Sequence, residues 1–133
     1  MSSMSGMQDG QAEMDGEHRI QVGLIAALER ALEAGASADE VRALVEQLLD
    51  FTDVHFMSEM VLMRFAAYPD IGGHETEHDR LMEQLRRIQA GFDLGDSDVM
   101  MAESQVLRHL LVEHIRTHDL LFSQFMSTQA APA

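Results

Sequence analysis

The residues of this chain best suited to chemistry are histidines at helical spacing. His55 stands four before Glu59, and His74 stands four before His78. A third group, His114, His118 and Asp119, offers steps of four and five. Residues four apart on an α-helix differ by about 40° in direction and about 6 Å along the axis, so their side chains can converge on one ion or on two adjacent ions. A step of five turns through about 140°, a poorer fit to a shared ion, so on geometry alone His118 competes with Asp119 as the partner of His114. There is no cysteine among the 133 residues, which excludes disulfides, iron–sulfur clusters, thiolate zinc sites and a thiol nucleophile. Any metal must be held by nitrogen and oxygen.

The apolar period places these residues on helices. Segment A runs from about Asp15 to Ala34, with Val22, Ile25 and Leu32 on one stripe and Leu24, Leu28 and Ala31 beside it; His18 begins that stripe. Gly35 suits the left-handed position after a helix, and Ser37 with Glu40 forms a capping box that opens segment B. Val41, Val45, Leu48, Thr52, His55, Glu59, Leu62 and Ala66 then step by four and three until Tyr68-Pro69 stops the helix. Segment C opens after Asp70, carries His74, His78, Leu81, Leu85 and Ile88 on its seam, and closes at Gly91. After an acidic loop, segment D carries Val99, Glu103, Leu107, Leu110, His114, Thr117, Leu121 and Phe125. Amphipathic helices joined by short loops predict an all-α, up-down-up-down four-helix bundle with a di-metal site in its core. The bundle is expected over residues 14–126, with disordered tails at 1–13 and 127–133.

Composition narrows the partners. With 9 Lys+Arg against 23 Asp+Glu the net charge is −14, so nucleic acid and anionic membrane surfaces are not expected to bind. No targeting segment and no 18-residue apolar run is visible, and a cytoplasmic location is the expectation. The 11 methionines read as core filling or helix surface, since they form no ligand stripe.

Burying an imidazole without partners costs on the order of 1 to 3 kcal/mol, yet His18, His55, His74, His78 and His114 all fall on seams, and His109 does not. Five imidazoles with Glu59 and a carboxylate near His114 exceed what one metal takes and match what two need. Carboxylates can bridge two cations and lower their mutual repulsion. A mixed site dominated by imidazole points to a transition-metal pair, iron foremost. It differs from the Glu-x-x-His code of ferritin-like bundles.

The set Asp15-x-x-His18, His55-Phe56-x-x-Glu59, Tyr68-Pro69 with His74-x-x-x-His78, and His114-Ile115-x-x-x-Asp119, in this order and one group per helix, resembles the hemerythrin family in its bacterial, single-domain form. The resemblance covers residues 14–126. It implies a non-heme di-iron site that binds O2 reversibly, for transport, storage or buffering of oxygen. By that resemblance His74, His78 and His114 ligate one iron, and His18 and His55 the other. Glu59 and Asp119 bridge the two together with a solvent-derived oxo or hydroxo group, and the two-histidine iron keeps an open position. Phe56, Leu110, Leu111 and Ile115 are the implied lining of an apolar O2 pocket. The chain departs from the family pattern in having no Trp, with Leu110 one turn before His114. On this reading the protein is a binding protein rather than an enzyme, a monomer or a homo-oligomer. The alternatives are a sensor that signals through a protein partner and a di-iron peroxidase or ferroxidase.

Overall fold

The computed structural model describes the backbone of residues 2–130 and the side chains of residues 14–128. Its elements are α1 (Ser2–Glu33), α2 (Ala38–Phe65), α3 (Ile71–Asp93), α4 (Ser97–His114), a π-helical turn (Ile115–Asp119) and α5 (Leu120–Ala130). The last three are continuous and form one rod. Each rod packs on the next in sequence, and the fourth packs back on α1, which closes the expected up-down-up-down bundle. Helical backbone extends over 2–13 and 127–130, where tails were expected; extending a helix already nucleated costs little per residue. Met1 and residues 131–133, parts of those same tails, lie outside the described residues. Among the described residues no helix is long and apolar enough to cross a membrane.

Local chemistry sets the ends of the rods. Glu40 N–H donates to Ser37 Oγ at 3.2 Å and Val99 N–H donates to Asp96 Oδ1 at 3.1 Å, capping α2 and α4. Three helices close with one paired-bond motif: Ala36 N–H reaches Ala31 O, Tyr68 N–H reaches Met63 O, and Asp96 N–H reaches Gly91 O, each at 2.9–3.0 Å. The motif needs a left-handed residue, supplied by Gly35 (φ 66°), Ala67 (φ 53°) and Gly95 (φ 69°). Ala67 alone carries a Cβ there, a conformation disfavoured by about 1–2 kcal/mol. The turn is held by its neighbours: Pro69 cannot continue the helix, and buried Tyr68 packs edge-on against Phe122 and Phe125.

Two apolar clusters fill the bundle. One contains Ile25, Leu28, Leu48, Leu81, Leu85 and Leu107, and the other Met60, Met63, Tyr68, Phe122 and Met126. Along α2 the order is Leu48, His55, Glu59, Met63, and along the fourth rod Leu107, His114, Asp119, Phe122. The polar residues therefore form a layer between the two cores.

The expected seam of the fourth rod is corrected. Val99, Thr117 and Leu121 are exposed, and the buried positions are Met100, Ser104, Leu107, Leu111, His114, Asp119, Phe122 and Met126. Adjacent apolar pairs such as Val99/Met100, Leu110/Leu111 and Leu121/Phe122 leave the inward face ambiguous by one residue, about 100° of rotation. The π turn then adds a residue to the step that follows His114.

Replacing Ala67 with Gly is expected to raise the unfolding free energy by about 0.5–1 kcal/mol, the relief of the left-handed strain less the extra freedom of Gly in the unfolded chain. The readout is a higher denaturant midpoint at unchanged slope; a lower midpoint would contradict it.

Candidate metal centre

Each rod delivers candidate ligands to the layer between the cores: His18 from α1, His55 and Glu59 from α2, His74 and His78 from α3, and His114 and Asp119 from the fourth rod. None is more than 8% exposed. The imidazoles form two sets. His74, His78 and His114 lie 5.3–5.6 Å apart between ring centres, and His18 and His55 are 4.8 Å apart.

The carboxylates stand between the sets. Glu59 Oε1 is 2.7 Å from His78 Nε2 and 3.7 Å from His74 Nε2, while its Oε2 is 3.5 Å from His55 Nε2 and 3.6 Å from His18 Nε2. Asp119 Oδ1 is 3.0 Å from His74 Nε2 and 3.1 Å from His114 Nε2, and its Oδ2 is 3.0 Å from His18 Nε2. Each carboxylate thus turns one oxygen to the three-histidine set and the other to the two-histidine set. Two groups of donor atoms are close enough to share an ion, Glu59 with His74, His78 and His114, and Glu59 with His18 and His55.

Asp119 reaches the layer because Ile115–Asp119 is a π turn. An i→i+5 turn brings the fifth residue, rather than the fourth, beneath the first. This decides the competition left open by spacing. His118 is half-buried and stacks on His114 at 5.5 Å, with its Nε2 3.8 Å from Glu77, whereas Asp119 is buried with its oxygens 3.0–3.1 Å from His18, His74 and His114. Deleting exposed Thr117 is expected to turn the π turn into α-helix and leave Asp119 and Phe122 in register. The deletion protein should keep its metal stoichiometry, with stability changed by no more than about 1 kcal/mol. Deleting Ala102, in a regular α-helix, should abolish both folding and metal uptake.

The donor set suits a cation. His18 Nε2, His114 Nε2 and Asp119 Oδ2 are buried without an aligned hydrogen-bond partner although they converge on one another. Without metal, protons supply the positive charge. Burial lowers the pKa of His18, but the Asp119 and Glu59 carboxylates outweigh it and raise it to about 9. For His55 burial is likewise overcome, by Glu59 and Glu17. His78 goes the other way, because burial, with His114 and His74 nearby, exceeds the pull of Glu59. Burial pushes both carboxyls up, yet their histidine contacts hold Glu59 and Asp119 well below the usual carboxylate range.

A metal bound by His18 would therefore displace a proton from it. In the metal-free chain the raised His18 pKa stabilises the fold fully below about pH 6.5, and that contribution is lost as pH rises through about 9. Thermal melts of the chelator-treated protein should fall over this window. A His18→Gln variant should show a flatter profile; an equal slope in the variant would contradict the assignment.

Other residues orient the ligands. With Nε2 facing the centre, His55 Nδ1–H donates to Glu17 Oε1 at 2.8 Å. Phe56 stacks on His78 at 3.9 Å, and Tyr68 meets the His74 ring edge-on at 5.7 Å. Gln21 and Thr52 form a buried hydrogen bond between α1 and α2. Neither Glu17 nor Gln21 was singled out by spacing. Glu17, next to His18 in sequence, points about 100° away from it and leaves no pattern. Gln21, three after His18, carries the signal of a polar residue on an apolar stripe.

A cavity of about 170 Å³ lies against the layer, lined by Met14, Asp15, His18, Glu59, Ile115, Asp119 and Phe122 among others. Of the expected pocket residues, Ile115 lines it. Phe56 and Leu111 line a separate cavity of about 10 Å³, and half-buried Leu110 lines neither. A surface groove of about 280 Å³ at the α1–α2 and α3–α4 turns carries no ionisable side chain.

Residues 9–125 match the hemerythrin HHE cation binding domain. The chain is 27% identical over 113 residues to the bacteriohemerythrin of Methylococcus capsulatus, covering 85% of this chain and 86% of that protein. It is 32% identical over 110 residues to the bacteriohemerythrin of Pseudomonas paraeruginosa, covering 80% and 68%. It is 30% identical over 113 residues to a hemerythrin-like protein of Naegleria gruberi, covering 85% and 82%. No solved structure gives a significant match. A bundle whose four rods each deliver histidine to one buried layer, with a family match across nearly all of it, makes this chain a member of the hemerythrin family of non-heme iron proteins.

Proposed function

We propose that this layer holds two iron ions joined by an oxo or hydroxo bridge, and that the protein binds O2 reversibly, as a cytoplasmic carrier, store or buffer rather than as an enzyme. The observation that carries the reading is the division of both carboxylates, each turning one oxygen toward the three-histidine set and the other toward the two-histidine set. Such a division would give two ions unequal numbers of protein ligands, with His18 and His55 on the side left fewer and so open to a small ligand. When bound, the iron pair supplies electrons to O2 and recovers them on release.

The rest is the work of this chain. Neutral imidazoles add no charge, and the paired negative charges of Glu59 and Asp119 reduce the repulsion between two cations in a poorly solvated interior. Glu17 fixes the His55 ring, and Phe56 fixes His78. Phe56, Leu111 and Ile115 present apolar surface beside the ligands, which would limit loss of the reduced form of the bound O2 and so favour reversible binding. Besides the ligands, Asp15 is the only ionisable side chain lining the larger cavity among the described residues, and it is exposed. A binding role fits that lining. One observation favours the sensor alternative: Val54, Met57, Val61 and Phe65 form an exposed apolar stripe on the helix whose inner face carries His55 and Glu59.

Anaerobic reconstitution with ferrous salt should load two irons per chain. Air should then produce a visible absorption that degassing removes over repeated cycles. Less than one iron per chain contradicts the centre. An irreversible change coupled to partner binding supports the sensor, and peroxide-dependent turnover of a reductant that is lost in His74→Ala supports the enzyme.

A further inference from the structure

A polar pair interrupts the apolar packing on the two-histidine side of the centre. Gln21 lies three residues after His18 on α1, and Thr52 three before His55 on the antiparallel α2, so both sit about 4.5 Å along the axis from that pair of imidazoles. Each is 2% exposed. Gln21 Nε2 donates to Thr52 Oγ1 at 3.1 Å, and Gln21 Oε1 is buried with no partner. A half-turn of the amide lets Thr52 donate to the oxygen and frees the nitrogen instead. In either orientation one polar group of Gln21 is unmatched, which is rare in a folded interior.

That group is not enclosed by packing alone. Gln21 and Thr52 line the cavity of about 10 Å³ whose other walls include Ile25, Phe56, Leu107 and Leu111. This is the threshold size for one water molecule, which a purely apolar wall would not retain. An apolar side chain at position 21 would complete the core; the amide instead places a hydrogen-bonding group one turn from His18 and His55.

We propose that Gln21 and Thr52 form a binding site for one hydrogen-bonding ligand atom, a water in the resting protein, and that this pair biases the two-histidine half of the centre toward small ligands that can hydrogen-bond. The water site stands on the fold alone, and the bias rests on the di-iron reading above. In a high-resolution crystal structure of the metal-free full chain, an ordered water is expected within hydrogen-bond distance of the Gln21 amide, and absent in Gln21→Met. A dry cavity overturns the site.

Azide titration of the diferric protein tests the bias. Gln21→Met should bind azide about tenfold more weakly and Thr52→Val about threefold more weakly, with iron content unchanged. Equal azide affinity in both variants overturns it. Failure of the chain to take up iron would defeat the di-iron reading, and the crystallographic water would still decide the site.

Discussion

Two carboxylates packed among five imidazoles in the middle of a small bundle can exist only if positive charge is supplied there. Glu59 and Asp119 are 1% and 8% exposed, and an uncompensated ionised carboxylate at such depth is strongly disfavoured. In the metal-free chain the compensation is protons, and the carboxylates raise the pKa of both His18 and His55 against their burial. A metal held in the layer would supply that charge in place of the protons. The −14 charge of the chain therefore misstates the surface, because these two acids belong to the interior balance.

The surrounding structure follows from keeping this layer dry and registered. An aliphatic core on one side and a methionine- and aromatic-rich core on the other hold the layer in position. Ligand rings are fixed by contacts that do not compete for Nε2: Glu17 at His55 Nδ1, the face of Phe56 on His78, and the edge of Tyr68 on His74. Tyr68 links this to the chain path, since the left-handed turn at Ala67 leads into it and the next rod then starts in register to present His74.

The one irregularity in the rods falls at the centre. A regular α-helix through residues 114–119 would turn Asp119 out of the layer and offer His118 in its place, exchanging a carboxylate for an imidazole. The π turn retains the carboxylate, so both sets of imidazoles are spanned by two anions. The amide of Gln21 is the complementary exception, a polar group with an unmatched atom in a largely apolar wall. Local departures of this kind concentrate where a site has requirements that the fold alone does not impose.

The sequence by itself determined the helical class, the order of the four rods and the histidine content of the layer, because periodicity and four-residue spacing are properties of a single helix. Ser37 and Tyr68-Pro69 marked rod ends through chemistry confined to a few neighbouring residues, whereas α3 runs past the expected stop at Gly91 to Asp93 and turns at Gly95. The family pattern supplied Asp119 where spacing left His118 in contention. Only the tertiary structure explained how Asp119 gets there, and it alone decided the inward face after His114, the role of Glu17 and the pairing of Gln21 with Thr52. A π turn is stabilised by the packing of the whole rod, and adjacent apolar pairs can face inward either way until neighbouring helices choose. A hydrogen bond across 38 residues, such as Glu17 to His55, leaves no periodic trace in the chain that makes it.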